Sequence, residues 1–327
     1  MKSGVAGRTS KRQDQRLNEF DIIRRYFDRP PKKTLLGIGD DCALLRPDAG
    51  LELAVTTDML IEGRHFLAGA DARALGHKAL AVNLSDLAAM GAAPRWATLA
   101  LGLPAADENW LAAFSAGFFA LAERHGLDLI GGDTTRSPQV TIAVTALGEV
   151  PSGVAMYRAS ARADDDIWVS GELGSAALAL THPEITAASA RLNEPEPRVE
   201  LGERLRGLAR AAIDVSDGLA GDLQHVLERS HVGALVHYAD IPRLAAFAEL
   251  NDAQLEKDCV LSGGDDYELL FTAPRERRRE IGALSRELGV PLTRIGAIQS
   301  GQPRLTIVDG AGKPMTFRGG FDHFAQR

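Results

Sequence analysis

Cysteine is nearly absent: of 327 residues only Cys42 and Cys259 carry a thiol. That excludes a disulfide framework and a paired-thiol zinc site, and it fits a reducing, cytoplasmic setting. Both thiols are expected to be free and buried. Long apolar runs are missing too. The longest candidate stretch, 79–93, is broken by Asn83, Ser85 and Asp86, so no membrane-spanning helix is expected. Basic residues are in deficit, with 37 Lys and Arg against 44 Asp and Glu and a net charge of −7. A protein that coats nucleic acid would carry the opposite balance. The common nucleotide signatures are also lacking. There is no Gly-x-x-x-x-Gly-Lys-Ser/Thr loop, Cys42 stands where a dinucleotide fingerprint needs its third glycine, and the protein-kinase catalytic set is absent. The polar, basic stretch 1–16 has no apolar signal core and reads as a disordered extension ahead of the fold.

What is present is ample apolar material, 45% of the chain with 25% charged, enough for two domains of ordinary size. Leu51 to Val55 alternates as a half-buried strand that runs into Thr56, Thr57 and Asp58, placing the acid at the strand's exit. The spacing of Leu80, Leu84 and Leu87 predicts a helix over 71–90, with Asn83 and Asp86 on another face. Strands are expected at 95–103, 127–130 and 140–150 and a helix at 108–125. A break at 151–166 separates that half from a second, with strands at 167–170, 211–215 and 267–272 and a helix at 219–229. The fold class is therefore α/β and α+β. The mixed order suggests two α/β or α+β domains, at 17–150 and 151–327, and the cleft between them is the default ligand site.

The informative pattern is a series of acids in short turns: Gly39-Asp40-Asp41, Thr56-Thr57-Asp58, Gly132-Asp133-Thr134, the Asp214 to Gly218 segment, and Gly264-Asp265-Asp266. A single Asp beside Gly is usually a turn residue, and Ser216 or Asp217 can serve as the N-cap of the next helix. Five such turns together are less readily explained that way. Gathered carboxylates repel one another unless cations neutralise them, and magnesium, which takes hard oxygen ligands and shares them with phosphates, is the natural neutraliser. Thr56 and Thr57 can add a hydroxyl or a main-chain carbonyl. Asp86, inside an apolar helix, is either a hydrogen-bonded structural carboxylate or a metal ligand. His65 either binds a phosphate or caps a strand, and Arg136 is a further candidate for phosphate contact.

The segments 37–43, 56–58, 79–94, 131–135, 213–219, 262–269 and 320–324 together resemble, in order, the thiamine-monophosphate kinase family, whose fold is shared with aminoimidazole ribonucleotide synthetase. The resemblance spans residues 17 to 327. It implies an N-terminal α/β domain at 17–150 that binds ATP and magnesium and forms a barrel-like sheet with its dimer mate, a C-terminal α+β domain at 151–327, and transfer of a phosphoryl group from ATP to thiamine monophosphate. It further implies several Mg2+ ions on Asp41, Thr57, Asp58, Asp86, Asp133, Asp214 and Asp217, with Asp40 and Thr56 beside them. ATP contacts fall on Gly132, Asp133, Arg158 and Ser216, and thiamine monophosphate contacts on His65, Asp265 and Phe321, with Phe317 as the alternative aromatic. The family often has Glu where Asp265 stands, one methylene longer. A phosphate nucleophile is already largely ionised near neutral pH, so no strong general base is required, which fits the lack of an obvious catalytic triad. Two rival readings are an ATP-dependent synthetase of the same superfamily and a nucleotide-binding protein without turnover. A selenide-using synthetase would want a reactive Cys near a glycine-rich N-terminal loop, and the polar start has none.

Overall fold

The computed structural model describes residues 17–320. The expectations for 1–16 and for Phe321 lie outside those residues. Two sheets organise the rest. The first contains β1 (Leu51–Ile61), β2 (Ala93–Leu103), β3 (Asp128–Arg136) and β4 (Thr141–Pro151) in the order β1-β4-β2-β3, with β2 and β3 parallel and the other pairs antiparallel. The second contains β5 (Asp166–Ser170), β6 (Ala211–Asp214), β7 (Gly233–His237), β8 (Leu269–Ala273), β9 (Leu292–Gln299) and β10 (Leu305–Val308) in the order β10-β7-β9-β5-β8-β6, with only β7 and β10 parallel.

The helices are α1 (Glu19–Ile22), α2 (Ala72–Ala89), α3 (Glu108–His125), α4 (Ser175–Thr181), α5 (Thr186–Asn193), α6 (Val199–Leu205), α7 (Leu219–Ser230), α8 (Ala246–Leu250), α9 (Ala253–Ser262) and α10 (Arg278–Leu288). Helices α2 and α3 start where carboxylates satisfy free amides, Asp71 accepting from Ala74 and Asp107 from Asn109 and Trp110. Gly126, in the left-handed region, ends α3. None of the described helices is long and apolar enough to cross a membrane.

Helix α2 is the central element. Its Leu80, Leu84 and Leu87 are buried, and so are Asn83 and Ser85 on other sides of the helix, because sheet one, α3, α6 and sheet two all pack around it. Ala212, Leu269 and Phe271 of sheet two join α2 in one apolar core, while Ile213, Leu270 and Val169 turn to a second core under α4, α7 and α9. The alternation along β5, β6 and β8 thus feeds a layer on each face of sheet two.

Several expected boundaries move. Strand β1 continues past Asp58 to Ile61, since its pairing with β4 runs on through Ile61 and Thr141, so Asp58 lies within the strand rather than at its exit. Strand β3 likewise runs through Gly131, Gly132 and Asp133 to Arg136 instead of turning after Ile130. Gly132 makes this possible: at φ 149 a Cβ would stand 1.8 Å from the Leu99 carbonyl oxygen. Strand β8 begins at Leu269, not Tyr267, because Asp265 and Tyr267 adopt positive φ. Gly218, not Ser216 or Asp217, is the N-cap of α7. Cys42 is exposed, correcting the expectation of two buried thiols.

Candidate active site

The side chains that converge come from β1, α2, β6 and the loop after β6. Alternation along β1 turns Ala54, Thr56, Asp58 and Leu60 toward α2 and Leu53, Val55, Thr57 and Met59 away from it. Thr56 Oγ1 donates to Asp86 Oδ2 at 2.5 Å, and the Asp58 amide donates to Asn83 Oδ1 at 3.1 Å. Between Asn83 and Asp86, Ser85 Oγ donates to Asp214 Oδ2 at 2.8 Å, so α2 joins the acids of both halves. Beyond Asp214, the Asp222 carboxylate accepts from the amides of Ser216 and Asp217, each at 3.0 Å, and holds the loop in a tight turn.

The electrostatics are those of an overcrowded acid cluster. Burial, followed by the charges of Asp86 and Asp217, pushes the Asp58 carboxyl up to about 7. Burial raises Asp86 as well, against the Thr56 hydrogen bond and the Arg158 charge. Asp214 is raised well above the usual carboxylate range, first by burial and then by the charge of Asp86. Asp58 Oδ2 is buried with no hydrogen-bond partner, an arrangement that costs stability unless something compensates it. Beside the acids is a small cavity of about 160 Å³ bounded by Thr56, Asp86, Arg158 and Ala212.

The expected site residues thus divide. Thr56, Asp58, Asp86, Asp214, Ser216, Asp217 and Arg158 come together. Thr57 does not share their face: its hydroxyl meets Thr145 Oγ1 at 2.8 Å on the outer side of the sheet, which leaves its main-chain carbonyl as the usable donor. Gly132 and Asp133 are exposed on β3, the opposite edge of the sheet from β1, about 14 Å away at three strand spacings. Arg136 ends that strand, also exposed. Asp40 and Asp41 are exposed, and the Asp41 amide bonds to Asp40 Oδ1 rather than to the cluster. His65 Nδ1 accepts from the Ile61 amide at 3.0 Å, the strand-capping arrangement. Among the described residues no three His, Cys, Asp or Glu side chains close a ready-made metal cage.

Two family models match consecutive parts of the chain: the AIR synthase related protein N-terminal domain over residues 39–150 and its C-terminal domain over 162–308. The thiamine-monophosphate kinase of Escherichia coli K12 is 44% identical over 321 residues, covering 94% of this chain and 98% of that protein. The chain belongs to the thiamine-monophosphate kinase family. A crystal structure of thiamine-monophosphate kinase from Stenotrophomonas maltophilia K279a superposes with a TM-score of 0.80 at 49% identity, covering 88% of this chain and 94% of that one. A second structure, AaThiL complexed with AMPPCP and TMP, does so with a TM-score of 0.74 at 31% identity, covering 88% and 92%.

In this thiamine-monophosphate kinase family member, the Gly264-Asp265-Asp266 loop adjoins the acid cluster. The Asp265 amide donates to the Ser216 carbonyl at 2.9 Å and the Tyr267 amide to that of Val215 at 2.8 Å. Asp265 Oδ2 pairs with Lys78 Nζ at 2.8 Å, and Tyr267 donates its hydroxyl to Oδ1 at 3.0 Å. Burial, then the charges of Asp265 and Asp58, hold the Tyr267 hydroxyl well above its usual range. Neighbouring Asp266 is buried and accepts from the Gly174 and Ala176 amides at the start of α4. Lys78, Tyr267 and Asp222 were not singled out from the sequence. The one local signal was that Lys78 lies in a helix of mostly apolar residues, where a buried, unpaired ammonium would be costly.

Proposed function

We propose that this chain transfers the γ-phosphoryl group of ATP to thiamine monophosphate, giving thiamine diphosphate and ADP. The observation that carries this reading is the mutually repelling set Asp58, Asp86, Asp214 and Asp217 at the seam between the halves, with Asp214 buried and the others half-buried. It sits in a chain whose relatives are named for that reaction.

Magnesium fits the donors. They are hard oxygens, one of them is buried without a partner, and an open set suits an ion that takes a few carboxylates and completes its shell with water and phosphate. Asp58, Asp86, Asp214 and Asp217 would hold it, with the Thr57 carbonyl as a further donor. When bound there, magnesium supplies the positive charge that lets two anionic phosphates approach and stabilises charge in the transfer.

The chain's own groups orient the reactants. Arg158, which lines the small cavity, is proposed to meet the triphosphate, and Ser216, in the turn held by Asp222, is proposed as a second contact. Gly132 and Asp133 are further proposed ATP contacts, on the far edge of sheet one. Asp265, His65 and Phe321 are proposed for the acceptor. A terminal phosphate oxygen of thiamine monophosphate forms the new bond to the γ-phosphorus, while the bond from that phosphorus to the β–γ bridging oxygen breaks and ADP leaves with the electron pair. In-line transfer inverts a chiral γ-phosphate. Retention would point to a phosphoenzyme.

The outer face of sheet one, with Leu53, Val55 and Met59 exposed on β1, is proposed to be covered by a second copy in the barrel-like dimer. A coupled ADP-release assay with and without thiamine monophosphate tests the function. Turnover that depends on the acceptor is expected, and ATP hydrolysis that ignores it would sink the reading.

A further inference from the structure

We infer that Lys78 is a positioning residue for the acceptor: from inside α2 it fixes the Asp265 carboxylate, jointly with the Tyr267 hydroxyl, in a single orientation. This rests on the proposed role of Asp265 toward thiamine monophosphate.

Each carboxylate oxygen of Asp265 is held from a different half of the molecule. Oδ2 meets the Lys78 ammonium at 2.8 Å, and Oδ1 accepts from Tyr267 at 3.0 Å. The Lys78 side chain is only 5% exposed, whereas that of Asp265 is 36% exposed. A ligand in the cleft can therefore reach Asp265 but not Lys78, so Lys78 acts through its partner. The backbone is committed to the same arrangement. Asp265 and Tyr267 stand at φ 69 and 50, values that non-glycine residues adopt only when their surroundings hold them there. Here the Ser216 and Val215 carbonyls do so by accepting the two amides. The grip on Asp265 is thereby tied to the loop that carries Asp214 and Asp217, and Asp58 and Asp214 lie close enough to raise the Tyr267 hydroxyl. An aspartate, with one methylene fewer than glutamate, leaves less freedom between the backbone and the carboxylate. Lys78 and Tyr267 remove what remains.

The test measures steady-state kinetics of Lys78→Met, Lys78→Arg and Tyr267→Phe, with Asp265→Asn and its double variant with Lys78→Met. Lys78→Met is expected to raise the KM for thiamine monophosphate about tenfold while the KM for ATP and kcat change about twofold or less. Lys78→Arg should recover much of the loss, and Tyr267→Phe should shift the acceptor KM in the same direction. In the Asp265→Asn background, Lys78→Met should add nothing further. A melting temperature lowered without a change in acceptor KM would reduce the pair to a structural tie and overturn the inference, as would full additivity in the double variant. If Lys78→Met does not fold, an unchanged acceptor KM in Tyr267→Phe overturns it instead. Failure of the unsubstituted chain to phosphorylate thiamine monophosphate would reject the functional reading itself, which separates the two results.

Discussion

Asp58 and Asp266 show how individual carboxylates are held against their own charge. The Asp58 carboxyl is pushed up to about 7 by burial and by Asp86 and Asp217, and one of its oxygens has no partner. Replacing it with Asn keeps the shape and removes the charge. Asp58→Asn should raise the melting temperature without metal by about 2–4 °C, yet cut turnover across a magnesium titration, a trade of function for stability. Unchanged turnover at limiting magnesium would reject Asp58 as a ligand. Asp266, pushed up to about 8 mainly by burial, gives a pH prediction. Between about 4 and 8 the folded chain keeps a proton there that the unfolded chain has released, so stability falls as pH rises through that window and levels off above it. Asp266→Asn should flatten that slope. Denaturant midpoints at a series of pH values check it, and an unaltered slope would discount Asp266.

The contact between α2 and α3 depends on two glycines facing each other's backbone. A Cβ on Gly76 would stand 2.0 Å from the Phe114 carbonyl oxygen, and one on Gly117 would stand 1.9 Å from that of Arg73. No rotamer change relieves a clash with backbone, so the helices would have to separate. Gly117→Ala is expected to cost about 1–3 kcal/mol, read as a shifted denaturation midpoint. Because α2 carries Lys78, Asn83, Ser85 and Asp86, the same substitution should also weaken turnover. Boundaries of these helices were legible in the sequence: Asp71, Asp107 and Gly126 mark ends through local capping. Strand ends were less so. Pairing with β4 carries β1 beyond Asp58, and pairing with β2 carries β3 through Gly132, and neither partner is visible in a local pattern.

Across the whole molecule, α2 lies between two mixed sheets, and the acids of β1 and β6 meet on either side of it. The other face of sheet one has no layer over it among the described residues, and Val55 there is 61% exposed. Val55→Lys should shift the chain toward a monomer in sedimentation while leaving its thermal unfolding cooperative. A native oligomer unaffected by the substitution would remove that face from the interface.

By itself the sequence determined which chemistry was available: acids beside glycine and threonine, no nucleophilic triad, no phosphate loop, and an apolar helix interrupted by Asn83, Ser85 and Asp86. Residue type and short-range periodicity carry that information because they act over a turn or two of chain. Only the tertiary structure decided which acids share a site. It turned Thr57 to the outer face, set Asp133 on the far edge of the sheet, joined Ser85 to Asp214, and paired Lys78 with an aspartate 187 residues away. Those outcomes depend on strand register and on packing between distant segments, where one residue of slip exchanges the faces of a strand.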